Sequence, residues 1–321
     1  MVFINAKALI VAFSVESSIL SFMTPQKTKI VAVVGPTASG KSDLAVVLAK
    51  AHEGEVISAD SRQVYRGMDI GTGKITLEEM QGVPHHLLDV ADPMKVVSVG
   101  AYQTLANDAI RAIAERGHLP ILCGGTGFYI QAVTDGLLLP DVPPDPALRA
   151  TLSPLSTEAL ITLLKEKDPL RAQTIDAKNP RRLIRAIEIA TALGVVPPLS
   201  AESPYDTLLI GITLPDELLR ERIHRRLLDR VEHGMLEEME RLHSEGVSWE
   251  RMEDLGLEYR YCARYLEGQI NKDTMLRELE MEIVHYAKRQ YTWFRRNPKI
   301  NWVERGDLET PERLLSEFLS S

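Results

Sequence analysis

Cysteine is scarce in this chain: among 321 residues only Cys123 and Cys262 occur, far apart in sequence. That count excludes a disulfide framework, and neither thiol has the spacing of a metal-ligand set, so the chain reads as a reduced, cytosolic protein with buried thiols. Long apolar runs are missing as well. The best candidate, Ala8-Leu9-Ile10-Val11-Ala12-Phe13 after Lys7, resembles a short signal-peptide core, but Glu16 interrupts it well below membrane-spanning length. Repeats and low-complexity tracts are absent. Nor is there an excess of positive charge: the formal net charge is -8. This argues against a protein that coats nucleic acid nonspecifically, while leaving room for a local basic face. His85 and His86 lack a third partner at ligand spacing, which leaves them a local hydrogen-bonding role. No Ser or Cys nucleophile constellation occurs.

What is present is an ordinary globular composition and a length that suits more than one domain. The chain is arranged around one stretch, Gly35-Pro36-Thr37-Ala38-Ser39-Gly40-Lys41-Ser42. It follows the β-branched run Lys29 to Val34 and precedes the helix-forming run Asp43 to Lys50, the strand-to-helix setting a phosphate loop needs. Gly35 and Gly40 let the backbone curl until its N–H groups point inward, and the helix N-terminus adds partial positive charge. Lys41 can reach an outer phosphate, and the Ser42 hydroxyl can enter a Mg2+ shell.

Further strand patterns lie at Gly54 to Asp60, Leu119 to Cys123 and Thr207 to Ile212, with Asn301 to Val303 as a final edge strand. Strand C-terminal ends line the ligand crevice of a parallel sheet, so Asp60 is expected beside the phosphate loop. The turn Gly124-Gly125-Thr126-Gly127 aims at the same crevice, although taken alone it is a tight turn. Between residues 135 and 203 the composition changes: Pro140, Pro143, Pro144 and Pro146 open a segment of helical runs that Pro197 and Pro198 close. Three parts follow: an N-terminal extension over 1–28, disordered or a misassigned start; an α/β core with a parallel sheet flanked by helices over 29–134 and 204–321; and a helical insertion over 135–203. Arg181, Arg182 and Arg185 fall on adjacent turns of one insertion helix, and Ala287 to Asn297 is basic and aromatic without an acid.

With these pieces in place, the chain closely resembles the tRNA dimethylallyltransferases, the IPP transferase family. The resemblance rests on the phosphate loop; Asp60-Ser61 with Gln63 to Thr72; His85-His86-Leu87-Leu88-Asp89; Gly124-Gly125-Thr126; Arg181 to Ala186; and Ala287-Lys288-Arg289-Gln290 with Thr292-Trp293. It spans nearly the whole chain from about residue 30. It implies a P-loop kinase-like core and an insertion that grips the tRNA anticodon stem-loop. The implied reaction moves a five-carbon group from dimethylallyl diphosphate to N6 of adenosine 37, with Mg2+, in the cytoplasm, by a monomer. Two departures stand out. Arg62 occupies a variable place in the Asp60 block, and Leu255-Gly256-Leu257-Glu258-Tyr259-Arg260 lacks the usual glycine-tyrosine pair before a lysine or arginine.

An exocyclic adenine amine is a poor nucleophile that must shed a proton as it alkylates. Asp60 is placed to accept it, and in the family this aspartate is the base; the alternatives are a Mg2+ ligand or a cap on the next turn. Diphosphate departure calls for charge stabilisation by the N–H groups of Ala38, Ser39, Gly40 and Lys41, by the Lys41 ammonium, and by Mg2+ held through Ser42. Thr37 and Arg222 match family positions that contact the diphosphate, with Arg226 competing for the clamp and Arg220 or Arg225 a solvated face. Gln63 carries the donor and acceptor to read adenine's edge, assisted by Ser61. Arg181, Arg182, Arg185, Lys288, Arg289 and Gln290 are the candidate tRNA contacts, with Arg295 and Arg296 beside them. Trp293 and Phe294 read as helix-core anchors. The competing functions are a small-molecule kinase using ATP at the loop and a nucleotide-switched RNA-binding protein.

Overall fold

The computed structural model describes residues 27–199 and 201–321, so the expected N-terminal extension lies almost wholly outside the described residues. The strands are β1 (Thr28–Val34), β2 (Gly54–Ser58), β3 (His85–His86), β4 (Leu119–Gly124), β5 (Tyr205–Thr213) and β6 (Asn301–Glu304). They form one sheet in the order β3-β2-β4-β1-β5-β6, every pairing parallel. β1 is buried on both sides. Ile30, Ala32 and Val34 join one apolar cluster, and Val31 and Val33 the other, as a period of two requires in a two-faced sheet. Each such side chain, fully buried, contributes about 1.5–3 kcal/mol.

Helix α1 (Lys41–Ala51) carries the chain from β1 to β2 over the second face, where Leu44, Val46 and Leu48 pack. α2 (Leu77–Met80) and α3 (Val99–Glu115) follow. After β4 the chain leaves over the opposite face through α4 (Gly127–Thr134), whose Tyr129, Ile130 and Val133 enter the first cluster. The connections from the neighbouring strands β1 and β4 therefore depart on opposite faces, which opens a crevice above their C-terminal ends.

The described chain divides into two compact units, Gly136–Glu202 and the remainder up to Asp135 and from Ser203 to Ser321. The smaller unit holds α5 (Pro146–Leu152), α6 (Thr157–Lys167), α7 (Pro169–Thr174) and α8 (Pro180–Leu193) around Leu160, Leu164, Leu183 and Ile187. Each helix begins at a capping side chain, Asp145, Ser156, Asp168 or Asn179, and three begin with proline. The larger unit continues with α9 (Asp216–Glu232), α10 (Met235–Ser244), α11 (Trp249–Leu255), α12 (Leu257–Leu266), α13 (Lys272–Phe294) and α14 (Glu309–Ser320). No described helix is long and apolar enough to cross a membrane.

Candidate active site

Between β1 and α1 the loop turns on Ala38 (φ 61) and Gly40 (φ 94). These left-handed conformations aim successive N–H groups at a common point. For an alanine the conformation costs roughly 1–2 kcal/mol, so strain is held at the tip of the loop. Ser39 is fully buried and its hydroxyl finds no hydrogen-bond partner, an orphan that suits an incoming oxygen. Lys41 Nζ donates to Pro36 O at 3.2 Å. Burial lowers the Lys41 pKa, while Cys123 and then Asp60 pull it upward, so the ammonium and the Asp60 carboxylate feel each other. The Ser42 hydroxyl bonds the Cys123 thiol, whose pKa burial raises to about 11.

Arg222, Arg226 and Arg230 stand at successive turns of one face of α9. Arg222 Nε donates to Ala38 O at 2.8 Å. Arg226 makes no ion pair among the described residues; burial, then Arg230 and Arg222, lower its pKa to about 10 against the pull of Glu79 and Asp43. With Thr37, Ala38, Ile223, Leu227, Arg230 and Ile283 it lines a small cavity beside the loop. Arg305, just past β6, closes the cluster: a Cβ on Gly40 would lie 3.1 Å from its Nε.

Asp60 follows β2 on the other side of β4. Its Oδ1 accepts from Arg62 N at 2.9 Å and more weakly from Gln63 N at 3.4 Å. The carboxylate thus caps its own turn through Oδ1. Ser61 N donates to Thr126 Oγ1 at 3.0 Å, and that hydroxyl lies 3.3 Å from Ser61 Oγ. The intervening strand ends in glycine because nothing larger fits. A Cβ on Gly124 would stand 2.1 Å from Ala59 O, and one on Gly125 would stand 2.2 Å from Gln290 Nε2.

One face of α13, bearing Ile283, Tyr286, Gln290 and Trp293, runs along this crevice. Gln290, expected among the tRNA contacts, is instead buried: its Oε1 accepts from Thr37 N at 2.8 Å and its Nε2 donates to Gly125 O at 2.9 Å. It clips the phosphate loop to the glycine turn. The periodicity could have placed it, since Gln290 keeps step with the buried Ala287 and Phe294 on the core face of α13. Lys288 and Arg289 are exposed on the other face, Arg289 pairing with Glu282 at 2.8 Å. Trp293 abuts Gly127, and Phe294 is buried.

Two more expectations change. Gln63 Nε2 donates to Gly73 O at 3.2 Å and its Oε1 accepts from Ser58 Oγ at 3.4 Å, so the amide anchors the 71–74 loop rather than facing the crevice. Arg185 is a strap within the smaller unit: its Nη2 donates to Val142 O at 2.7 Å, and its Nη1 lies 3.3 Å from Glu188, which also takes a two-pronged pair from Arg149. Arg181 and Arg182 are exposed, Arg182 lying 3.7 Å from Asp176.

Several residues around Asp60 had no local signal in the sequence. Glu258, opening α12, pairs with Arg62 Nη1 at 2.7 Å and Arg230 Nη1 at 3.0 Å. The Arg62 guanidinium lies 5.7 Å from the Tyr286 ring centre, and Arg289 lies 5.8 Å from the same ring. Burial alone would lower the Arg62 pKa, but Glu258 and then Asp60 raise it. Glu238 on α10 gathers the N–H groups of Asp69, Ile70 and Gly71 at 2.7–3.0 Å and the Tyr259 hydroxyl at 2.9 Å, fixing the loop after Asp60.

Residues 63–297 match the family model described as IPP transferase. The tRNA dimethylallyltransferase 2 of Citrifermentans bemidjiense is 47% identical over 287 residues, 88% of this chain and 92% of the relative. That of Halalkalibacterium halodurans is 41% identical over 300 residues, 90% and 95% of the two chains. Among solved structures, the tRNA isopentenylpyrophosphate transferase of Bacillus halodurans superposes with a TM-score of 0.69 at 41% identity, covering 92% of this chain and 95% of the other. A eukaryotic dimethylallyltransferase acting on tRNA shares the fold, with a TM-score of 0.74 at 24% identity over 91% and 80% of the chains. The chain, with its parallel-sheet core, belongs to the IPP transferase family.

Proposed function

We propose that the protein transfers a dimethylallyl group from dimethylallyl diphosphate to N6 of adenosine 37 in tRNA, releasing diphosphate. One observation carries this reading. An aspartate at the end of β2 and a cation-rich phosphate loop at the end of β1 stand either side of β4, roughly 10 Å apart by strand spacing. The strand between them ends at Gly124, where the Ala59 backbone packs so closely that no side chain can stand.

The N6 lone pair attacks C1 of the allylic donor as the C1–O bond breaks, and the bonding electrons leave with the diphosphate. N6 gains positive charge and passes one proton to Asp60. General-base assistance of this kind is worth ~10² to 10⁴ in rate. The departing oxygens meet the N–H groups of Ala38 to Lys41, the Ser39 hydroxyl, Lys41, and the Arg222 and Arg226 guanidinium groups. Arg226, without a carboxylate partner among the described residues, is the stronger clamp, and Arg222 is steadied on Ala38 O. Arg226 and Arg230 share one small cavity beside the loop with Ile223, Leu227 and Ile283.

Magnesium fits the donor set only in company with substrate. Ser42 offers one hard oxygen, and no group of three His, Cys, Asp or Glu among the described residues could hold a metal alone. Bound through Ser42 and diphosphate oxygens, it would offset charge on the leaving group. On the RNA side, we assign the Ser61 and Thr126 hydroxyls to the everted base and the exposed Lys288 and Arg289 to phosphates, with Arg181 and Arg182 of the smaller unit as its own phosphate contacts. A tRNA substrate supports a cytoplasmic setting.

Radiolabelled dimethylallyl diphosphate incubated with unmodified tRNA carrying adenosine 37 tests the reading. Label retained on the RNA, and lost when position 37 is guanosine, is expected. ATP hydrolysis or small-molecule phosphorylation without label transfer would overturn it.

A further inference from the structure

The two places where the sequence departs from the family pattern, Arg62 and the Gly256-Leu257-Glu258 turn, face each other across 2.7 Å. Arg62 is two residues beyond Asp60, and its own N–H holds Asp60 Oδ1. A guanidinium on so short a tether can fold back onto the carboxylate it follows. It does not, because its Nη1 is drawn to Glu258, whose side chain is only 4% exposed. Leu257, a non-glycine residue at φ 46 directly after Gly256 at φ 73, turns the chain so that Glu258 opens α12 in that position.

We propose that Glu258 is a positioning residue for the transfer step, holding and neutralising Arg62 so that the Asp60 carboxylate stays unpaired and available to the adenine amine. The inference rests on Asp60 being the base. Other groups do not do this work. Lys41, from the phosphate loop, is a second cation that interacts with Asp60, and it is engaged with Pro36. Cys123 at the end of β4 and Tyr102, Tyr129 and Tyr286 on α3, α4 and α13 also face the carboxylate; burial raises all four, which leaves them neutral near pH 7. On the far side of Arg62 stand Glu258 and, sharing it, Arg230. Arg289, on the opposite side of the Tyr286 ring, is paired with Glu282. With Glu258 gone, a buried guanidinium without a partner has one carboxylate within reach, and an opposite charge that close makes a carboxylate a weaker base.

Single-turnover transfer across pH, with wild type, Glu258→Gln, Arg62→Gln and the double variant, tests this. Glu258→Gln is expected to slow transfer about tenfold near pH 7 and to move the acid limb of the rate profile to lower pH. The KM for dimethylallyl diphosphate should stay within about threefold. Arg62→Gln should remain within about threefold of wild type, with its limb in place. The double variant keeps the loss at Arg230 but removes Arg62, so it should recover to within about threefold as well. A double variant as slow as Glu258→Gln, or an Arg62→Gln variant that is itself tenfold slow, would overturn the proposal. Should Glu258→Gln fail to fold, Arg62→Gln against wild type still decides by the same criterion. Asp60→Asn in the same assay separates the two claims: near-normal transfer there overturns the base assignment and this inference with it. A slow Asp60→Asn beside an unrescued double variant overturns the inference alone.

Discussion

At the phosphate-loop end of the crevice Lys41, Arg222 and Arg226 stand together without an ion pair among the described residues, whereas at the Asp60 end Arg62 and Arg230 share Glu258 and Arg289 takes Glu282. The proton affinities follow. Burial and then neighbouring arginines lower Arg222, and the same causes bring Arg226 to about 10; Glu258 and Asp60 outweigh burial and raise Arg62. Asp43 pulls all three loop-end cations upward without outweighing these causes, so their crowding is costly in the free protein and is offset when a further anion arrives. The loop end is therefore incomplete without its diphosphate. The Asp60 end is electrically closed, which suits a base that must act on a neutral amine.

The largest expected effect lies at the closed end. Asp60→Asn should lower the single-turnover rate by ~10² to 10⁴, while dimethylallyl diphosphate and tRNA affinities, measured separately, change by less than about threefold. If the loss appeared in affinity instead, the aspartate would belong to binding, and the two ends would no longer differ in kind.

How much of this could be read from the chain alone follows from the same division. The loop end is contiguous: eight residues between a β-branched strand and a helix, then arginines on one helical face. Local pattern therefore pointed to Lys41 and Ser42, and the family resemblance to Arg222 with Arg226 competing. The closed end is assembled across long separations. Arg62 meets Glu258 196 residues away, and Thr37 meets Gln290 253 residues away. No local spacing encodes such pairs. Gln63 and Gln290 misled for a related reason: an amide with a donor and an acceptor serves a base edge or two loops equally well, and only packing decides. The strands were legible because β1, β4 and β5 are buried on both faces and read as near-continuous apolar runs.

A buried carboxylate network far from the crevice serves as the control for the closed end. Glu55, at the β2 edge, takes a two-pronged bond from Arg116 and one each from His86 and His118. Burial pushes its pKa up, but those partners prevail and bring it to about 2. A depressed carboxylate stabilises the fold above its unfolded value of 4.5 and loses that contribution as pH falls toward about 2. Glu55→Gln should cost about 3 kcal/mol near pH 7, and its melting temperature should fall less steeply than that of wild type between pH 5 and 3. The transfer rate per folded molecule should not change. A loss of turnover here would mean that paired networks in this fold act on chemistry generally, and Glu258 would lose its special standing.

Within the open end, Arg226→Ala should weaken dimethylallyl diphosphate binding by about 2 kcal/mol, near 30-fold, because a charge-assisted contact to the diphosphate is lost. Arg220→Ala, on the exposed side of the same helix, should change it by less than about 0.5 kcal/mol. Isothermal titration with the donor distinguishes them, and equal losses would mean that the helix contributes only a diffuse field.

The smallest effect is the one that opposes intuition. Arg226 is half-buried beside Arg222 and Arg230, makes no ion pair among the described residues, and feels Glu79 and Asp43 less than burial and those arginines, so in the free protein its charge opposes folding. Replacing it with methionine keeps the aliphatic packing against Ile223, Leu227 and Ile283 and removes that repulsion. Arg226→Met should therefore raise the stability of the ligand-free protein by about 1 kcal/mol, a shift of roughly 2 °C in melting temperature for a chain of this size. Inorganic pyrophosphate should reverse the order: it stabilises the wild type by mass action, about 2.7 kcal/mol at 100 times its Kd, and the variant by distinctly less. Added salt should narrow the gap between the ligand-free proteins, because screening acts on the repulsion that the methionine removes. A ligand-free variant less stable than wild type would mean that Arg226 is already satisfied by the fold, and the loop end would then be as closed as the end that holds Asp60.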